Sequence, residues 1–233
     1  MTSRVALISG AGRGIGAAIA ERLLAEGWAV SLGMRVPVLP PWAAGAEDRV
    51  HLQAYDAIDP EAETTWAAAA LARFGRIDAV VANAGIMIPK TVIEAEEAEI
   101  RAMMDVNVHA PRRLAKAAWE ALAESGRGRV VILASLSGKR VKAAGAGSYS
   151  LSKFAAVALA HALRHAGFER GIRATAVCPG FVATDMALAL SSLGAERMTD
   201  PKDLARVVTL ILDLPNEASV AEFAINCQLE ESF

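Results

Sequence analysis

Tyr149 and Lys153 stand four residues apart in YSLSK, and the chain holds only two tyrosines. On a helix, residues at this spacing share a face with about 5–6 Å between their Cβ atoms, so the ammonium can lean over the phenol. A tyrosine beside a fixed cation is a candidate acid–base. A partly buried tyrosine beside a snorkelling lysine has the same spacing, however, so the pair carries chemistry only if a site is built round it. SGAGRGIG supplies part of such a site: glycines stand at 10, 12, 14 and 16, and a helical pattern follows at once. The form is G-x-x-x-G-x-G. It is not G-x-G-x-x-G, because Ile15 occupies the place of the last glycine counted from Gly10. Glycines here permit a tight turn and close backbone approach, so that a pyrophosphate can rest on helix N–H groups.

These residues must be held by the elements around them. Short apolar runs alternate with longer helical patterns along the whole chain: VALIS then AAIAERLLAEG, WAVSLG, VHLQAY then EAETTWAAAALARFG, DAVVANAG, and later RVVILAS, RATAVCPG and AEFAIN. Runs apolar on both faces and separated by helices imply a parallel sheet covered on both sides. The expected fold is α/β: a single doubly wound Rossmann domain over 1–233, with a seven-stranded parallel sheet carrying both cofactor and substrate sites. The Pro-rich segment 36–48 is a loop within it, since strand-like sequence resumes at Val50.

Composition narrows the function classes. The 233 residues can bury a large core, yet no apolar run nears the roughly 18 residues needed to span a bilayer. The opening MTSRVALISG has too short an apolar stretch for a signal peptide, so a cytoplasmic protein without a membrane partner is expected. Cys178 and Cys227 lie far apart with no Cys-x-x-Cys or Cys/His cluster, which indicates no disulfide framework and no metal site. The net charge is −2, and the patches Arg127 to Arg129 and Lys139 to Lys142 lack interleaved aromatics, so they read as solvated loops and not as a nucleic-acid surface. His161 and His165 have no acid between them and read as an exposed helix face.

Six motifs in order resemble the short-chain dehydrogenase/reductase family: SGAGRGIG, ANAG (82–85), DVNV (105–108), ILASLSG (132–138), YSLSK, and CPGFVATDM (178–186). Together they run from about residue 5 to residue 186. The resemblance implies an oxidoreductase that moves hydride between a nicotinamide cofactor and a small alcohol or carbonyl. By it, Tyr149 is the general acid–base, Lys153 holds the nicotinamide ribose and lowers the tyrosine pKa, Ser135 orients the substrate oxygen, and Asn107 supports a proton-relay water. Ser137 competes with Ser135, but alignment on Gly138 selects Ser135. Moving a tyrosine from about 10 to about 7 needs roughly 4 kcal/mol, and a lysine charge about 5 Å away at an effective dielectric of 20 offers about 3 kcal/mol.

On the cofactor side the resemblance implies Gly10, Gly14 and Gly16 at the diphosphate, flanked by Arg13 and Ile15. Asp56 and Ala57 fall at the adenine, Asn83, Ala84 and Gly85 after the fourth strand, and Pro179, Gly180, Val182 and Thr184 near the nicotinamide. Asp59 is the alternative to Asp56, and either could cap the helix expected to begin near Pro60. An NAD-preferring domain usually places an acid at the end of the second strand; here Met34 stands there, followed by Arg35, with no Asp or Glu between Glu26 and Glu47. Arg13 and Arg35 could flank a 2′-phosphate, so NADP(H) is expected, with NAD(H) the alternative. The short lid at 185–200 is apolar and suggests a mainly apolar substrate. The ending AEFAINCQLEESF departs from the family's commonest Val-Asp-Gly-Gly stretch. Helical patterns over Glu97 to Glu124 and Ser148 to Ala166 are apolar or small round most of their circumference, which suggests a homodimer or homotetramer. A catalytically silent nucleotide-binding regulator on the same fold is the competing reading.

Overall fold

The computed structural model describes residues 3–229. Seven strands, β1 (Val5–Ser9), β2 (Ala29–Met34), β3 (Val50–Ala54), β4 (Ala79–Ala82), β5 (Arg129–Leu133), β6 (Arg173–Pro179) and β7 (Glu222–Ile225), form one sheet in the order β3-β2-β1-β4-β5-β6-β7. Every pairing is parallel. Parallel strands need crossovers, and those crossovers are helices that cover both faces.

Successive side chains along a strand point to opposite faces, so adjacent residues of β1, β4 and β5 enter different cores. Leu7, Val80 and Ile132 pack with Trp66 of α2 (Ala62–Phe74), Leu114 of α4 (Ala110–Ala117) and Ala156 and Ala160 of α6 (Gly147–Gly167). Ile8, Val81 and Val131 pack instead with Ile19 and Leu23 of α1 (Gly14–Ala25) and Leu204 and Val208 of α8 (Pro201–Asp213). Each large side chain buried this way contributes about 1.5–3 kcal/mol relative to exposure. The direction of strand succession reverses at β1, between β2 on one side and β4 on the other. This opens a crevice at the carboxyl ends of the strands, where ligands of such sheets bind.

The structure refines three sequence expectations. The pattern from Glu97 to Glu124 is not one helix: α3 (Glu97–Met104) passes through a five-residue π-turn, Asp105–His109, into α4 and then α5 (Trp119–Glu124). A π-turn admits one extra residue per turn and often marks a functional site; this one carries Asn107. The helix expected near Pro60 begins at Ala62. The segment 36–48 is a loop, as expected, tightened by short 3₁₀ turns at Pro41–Ala43 and Glu47–Arg49.

Of the patch Arg127 to Arg129, Arg127 is exposed as expected but Arg129 is buried. Arg129 begins β5 at 3% exposure and donates to the Leu214 carbonyl and, at 2.9 Å, to the Asn216 amide oxygen. Arg127 donates to the carbonyls of Asp213 and Leu214, and Arg173 donates to that of Asn216 at 2.9 Å. Guanidinium groups are well placed at the end of α8, where unpaired carbonyls and the helix dipole present negative charge. Lys139 and His161 likewise find a partner, because both reach Glu222 on β7, His161 at 2.6 Å. His161 is therefore not a bare helix face, and the acid missing from its neighbourhood in sequence lies 61 residues away. Among the described residues no helix is long and apolar enough to cross a membrane, and no cluster of three His, Cys, Asp or Glu could hold a metal.

Candidate active site

Ser135 stands two residues past the end of β5 and leads into a 3₁₀ turn, Leu136–Gly138; its Oγ accepts the Ser137 N–H at 3.1 Å. A Cβ on Gly138 would lie 2.5 Å from the Lys153 carbonyl, so only glycine lets this turn dock on the backbone of α6. The docking brings Ser135 to Tyr149. One turn along α6, Lys153 sets its ammonium 5.7 Å from the centre of the Tyr149 ring and donates to the Leu133 carbonyl at 2.8 Å.

Asn107 ties this cluster to the loop that follows β4. Its Nδ2 donates to the Ile86 carbonyl and to Ser152 Oγ, both at 2.9 Å, while its Oδ1 accepts the Ile86 N–H at 2.9 Å. Ser152 in turn donates to the Tyr149 carbonyl at 2.7 Å. Both donor hydrogens of Asn107 are thus spent on positioning, and any help to a relay water falls to its remaining oxygen capacity and main chain. Gly85 lies between the Asn107 oxygen and the Lys153 ammonium. The four residues expected to be catalytic are brought together at one end of the sheet. Ser152 was not foreseen; its place three residues after Tyr149, on the buried side of a helix, was the available signal.

Electrostatics depart from expectation at Tyr149. Burial pushes its pKa up to about 12, and a hydrogen bond from Ser135 offsets this only in part. Burial also pulls Lys153 down to about 8, with the charge interaction of Cys178 opposing. In this structure burial sets the direction at the phenol. The Lys153 ammonium is turned to the Leu133 carbonyl, and low-dielectric surroundings disfavour the charged forms of both groups. At neutral pH the phenol keeps its proton.

The glycine loop is braced from below. Gly10 and Gly14 adopt φ of 67° and 58°, the left-handed region open to glycine. Asn83 Nδ2 donates to the carbonyls of Ser9 and Gly10 at 3.0 and 3.1 Å, and Ser9 Oγ accepts the N–H groups of Asn83 and Ala84, each at 3.0 Å. A Cβ on Gly16 would fall 2.4 Å from the Gly10 carbonyl oxygen and 2.5 Å from Asn83 Nδ2. Asn83 therefore shapes the loop with its side chain, together with Ser9, which the motif reading passed over. The first turn of α1, which includes Ile15, carries no capping side chain and no acid. Its free N–H groups and positive dipole end fit a diphosphate.

Across the crevice, Pro179 ends β6 and the Gly180 N–H donates to the Ile225 carbonyl at 2.8 Å. Thr184 caps α7 (Asp185–Leu190), bonds the Val182 carbonyl at 3.2 Å and packs over Gly14. Arg13 does not meet Arg35. It pairs with Asp185 at 2.6 Å, both side chains well exposed, because that carboxylate at the start of α7 is the counter-charge it reaches. Met34 is buried beside Gly12, whereas Arg35 is exposed and lines a cavity of about 340 Å³ with Gln53, Tyr55, Asp56 and Asp59. Asp56 Oδ1 accepts the Ile58 N–H at 3.1 Å and Asp59 Oδ1 the Glu61 N–H at 3.0 Å. Asp59 thus braces the residue that opens α2, and Asp56 remains at the cavity edge with Ala57 buried behind it.

A family model described as short chain dehydrogenase matches residues 4–192. The chain belongs to that family. Short-chain dehydrogenases are NAD(P)-dependent oxidoreductases, and relatives agree with the match. An agropine synthesis reductase of Rhizobium rhizogenes is 37% identical over 230 residues, 98% of this chain and 53% of that protein. This short-chain dehydrogenase thus spans about half the length of the curated relatives it matches first. An uncharacterised oxidoreductase of Staphylococcus saprophyticus is 30% identical over 97% of both chains. The alcohol dehydrogenase of Thermococcus sibiricus, solved with 5-hydroxy-NADP, superposes with a TM-score of 0.80 at 30% identity over 96% of each chain.

Proposed function

We propose that this short-chain dehydrogenase interconverts a small, mainly apolar carbonyl compound and its alcohol, with NADP(H) as the favoured cofactor and Tyr149 as the proton carrier. One observation supports this above the others: Ser135, Tyr149 and Lys153 are gathered beside a braced glycine loop, with Asn107 tying them to the loop after β4. The nicotinamide, when bound, would supply or accept the hydride. Lys153 would meet its ribose, the uncapped end of α1 its diphosphate, and Asp56 and Ala57 its adenine. Tyr149, protonated at neutral pH, is in the form that donates to a carbonyl oxygen as it gains negative charge, while Ser135 holds that oxygen. The reductive direction therefore fits the resting state of the site. One domain carries both subsites, and the exposed Met186, Leu188 and Leu190 of α7 suit an apolar substrate. The unpaired Cys178 and Cys227 suit a reducing, cytoplasmic setting.

The NADP(H) reading rests on Met34 and Arg35. An acid at position 34 would accept the 2′-hydroxyl of NAD; an exposed guanidinium at 35 can pair with a 2′-phosphate. Arg35→Ala is expected to raise KM for NADP(H) roughly tenfold and leave KM for NAD(H) unchanged, while Met34→Asp shifts preference towards NAD(H). Steady-state kcat/KM with both cofactors, on a panel of ketones, aldehydes, quinones and secondary alcohols, is the deciding measurement. A wild-type preference for NAD(H) would overturn the phosphate reading and leave the dehydrogenase reading standing.

Assembly is the second expectation. Leu151 and Phe154 are exposed on α6, where two helices related by symmetry could cover them. Light scattering at micromolar concentration should give a dimer or tetramer, and a monomer would contradict this.

A further inference from the structure

Beneath the Arg35 cavity lies a largely buried ionic network that the roles above leave unused. Glu63, in the first turn of α2, is 1% exposed. Arg113, on α4, meets it with both ends of the guanidinium fork: Nε to Oε2 at 2.7 Å and Nη2 to Oε1 at 3.2 Å. The Tyr55 hydroxyl donates to the same carboxylate at 2.9 Å. Arg113 Nη2 also donates to the carbonyl of Ala57 at 2.7 Å. The Trp66 ring packs on Tyr55 with centres 4.9 Å apart and donates its N–H to Ser31 Oγ on β2 at 2.7 Å.

Taking charges out of water is costly before their attraction is counted, and a well-packed apolar pair of similar volume is often as stable. Leucine and methionine could hold α2 against α4. They could not hold the Ala57 carbonyl. The bond that distinguishes the network from a plain core contact is therefore the one from Arg113 to the turn joining β3 to α2, and that turn carries Asp56 and Ala57.

We propose that Arg113, fixed by Glu63 and Tyr55, is a positioning residue for the adenosine half of the cofactor. It sets the Asp56–Ala57 turn in the orientation that receives the adenine. This rests on the dehydrogenase reading. The same chain segment carries Asn107, so one helical stretch braces the turn at the adenine end and Ile86 at the catalytic end.

Fragments of the cofactor separate this role from general stabilisation. The double variant Glu63→Leu/Arg113→Met fills the space without leaving a lone charge. It is expected to keep its melting temperature within a few degrees, to bind adenosine 5′-monophosphate about tenfold more weakly by calorimetry, and to bind reduced nicotinamide mononucleotide within twofold of wild type. Should that variant not fold, Arg113→Lys keeps the charge and loses the fork, and the same selective loss is expected. Unchanged affinity for adenosine 5′-monophosphate, or equal losses for both fragments, would overturn the proposal. Wild-type protein that binds neither fragment would overturn the dehydrogenase reading, and this inference with it.

Discussion

Tyr149→Phe is expected to lower kcat by roughly 10²–10⁴-fold while leaving the Kd for NADP(H) within a few-fold. The ring keeps its place under the same packing, since only a hydroxyl oxygen is removed from a side chain 9% exposed. On the proposed role of Tyr149, what is lost is the proton that a reduced carbonyl oxygen must receive. With its pKa pushed up to about 12 by burial, the phenol carries that proton throughout the neutral range. Stopped-flow and steady-state rates on the variant provide the check. Retention of more than about a tenth of the wild-type rate would assign the proton to another group.

Lys153→Met should damage more than one property. Turnover and cofactor affinity should both fall, with kcat/KM down by roughly 100-fold or more, because a charge-assisted partner leaves the centre of the site. Stability should respond with a definite sign. The folded protein holds Lys153 near pKa 8 through burial, whereas the unfolded chain titrates it near the ordinary value of about 10.4. Between those values the unfolded chain binds the additional proton, so raising the pH stabilises the wild type relative to the variant. Below pH 8 the buried ammonium costs the wild type on the order of 3 kcal/mol, a cost that its bond to the Leu133 carbonyl offsets in part. The melting temperature of wild type minus that of Lys153→Met should therefore climb from pH 8 to pH 10. A flat difference would show that the lysine is not buried as a cation.

The strands, the glycine loop and the Tyr149–Lys153 pair were legible because each is written in local spacing: two-sided apolar runs, glycines at a β1–α1 junction, two polar residues one helical turn apart. The π-turn was not, because it depends on Asn107 reaching the backbone of Ile86, 21 residues upstream. Nor could sequence show that Arg13 would answer Asp185, 172 residues away, or that Arg129 would be buried against the end of α8. The Tyr149 pKa went astray for a related reason. A neighbouring charge can be counted from the sequence, but the desolvation that outweighs it depends on how many distant segments close over the phenol. Ser9 shows the same limit: it is an ordinary strand-ending serine until β4 arrives beside it.

That dependence of Ser9 on β4 also sets an order of construction as the chain leaves the ribosome. β1, β2 and the glycines between them are made before β4, yet the bonds that shape their loop come from Asn83 and Ala84. The apolar side of α1 packs with residues of α8, whose sequence begins only at Pro201. Contacts so distant along the chain carry a loop-closure cost before they return any stability, which makes such sheets slow to form. The first βα unit of this domain is thus among the last to be finished, since part of the apolar side of α1 waits for α8.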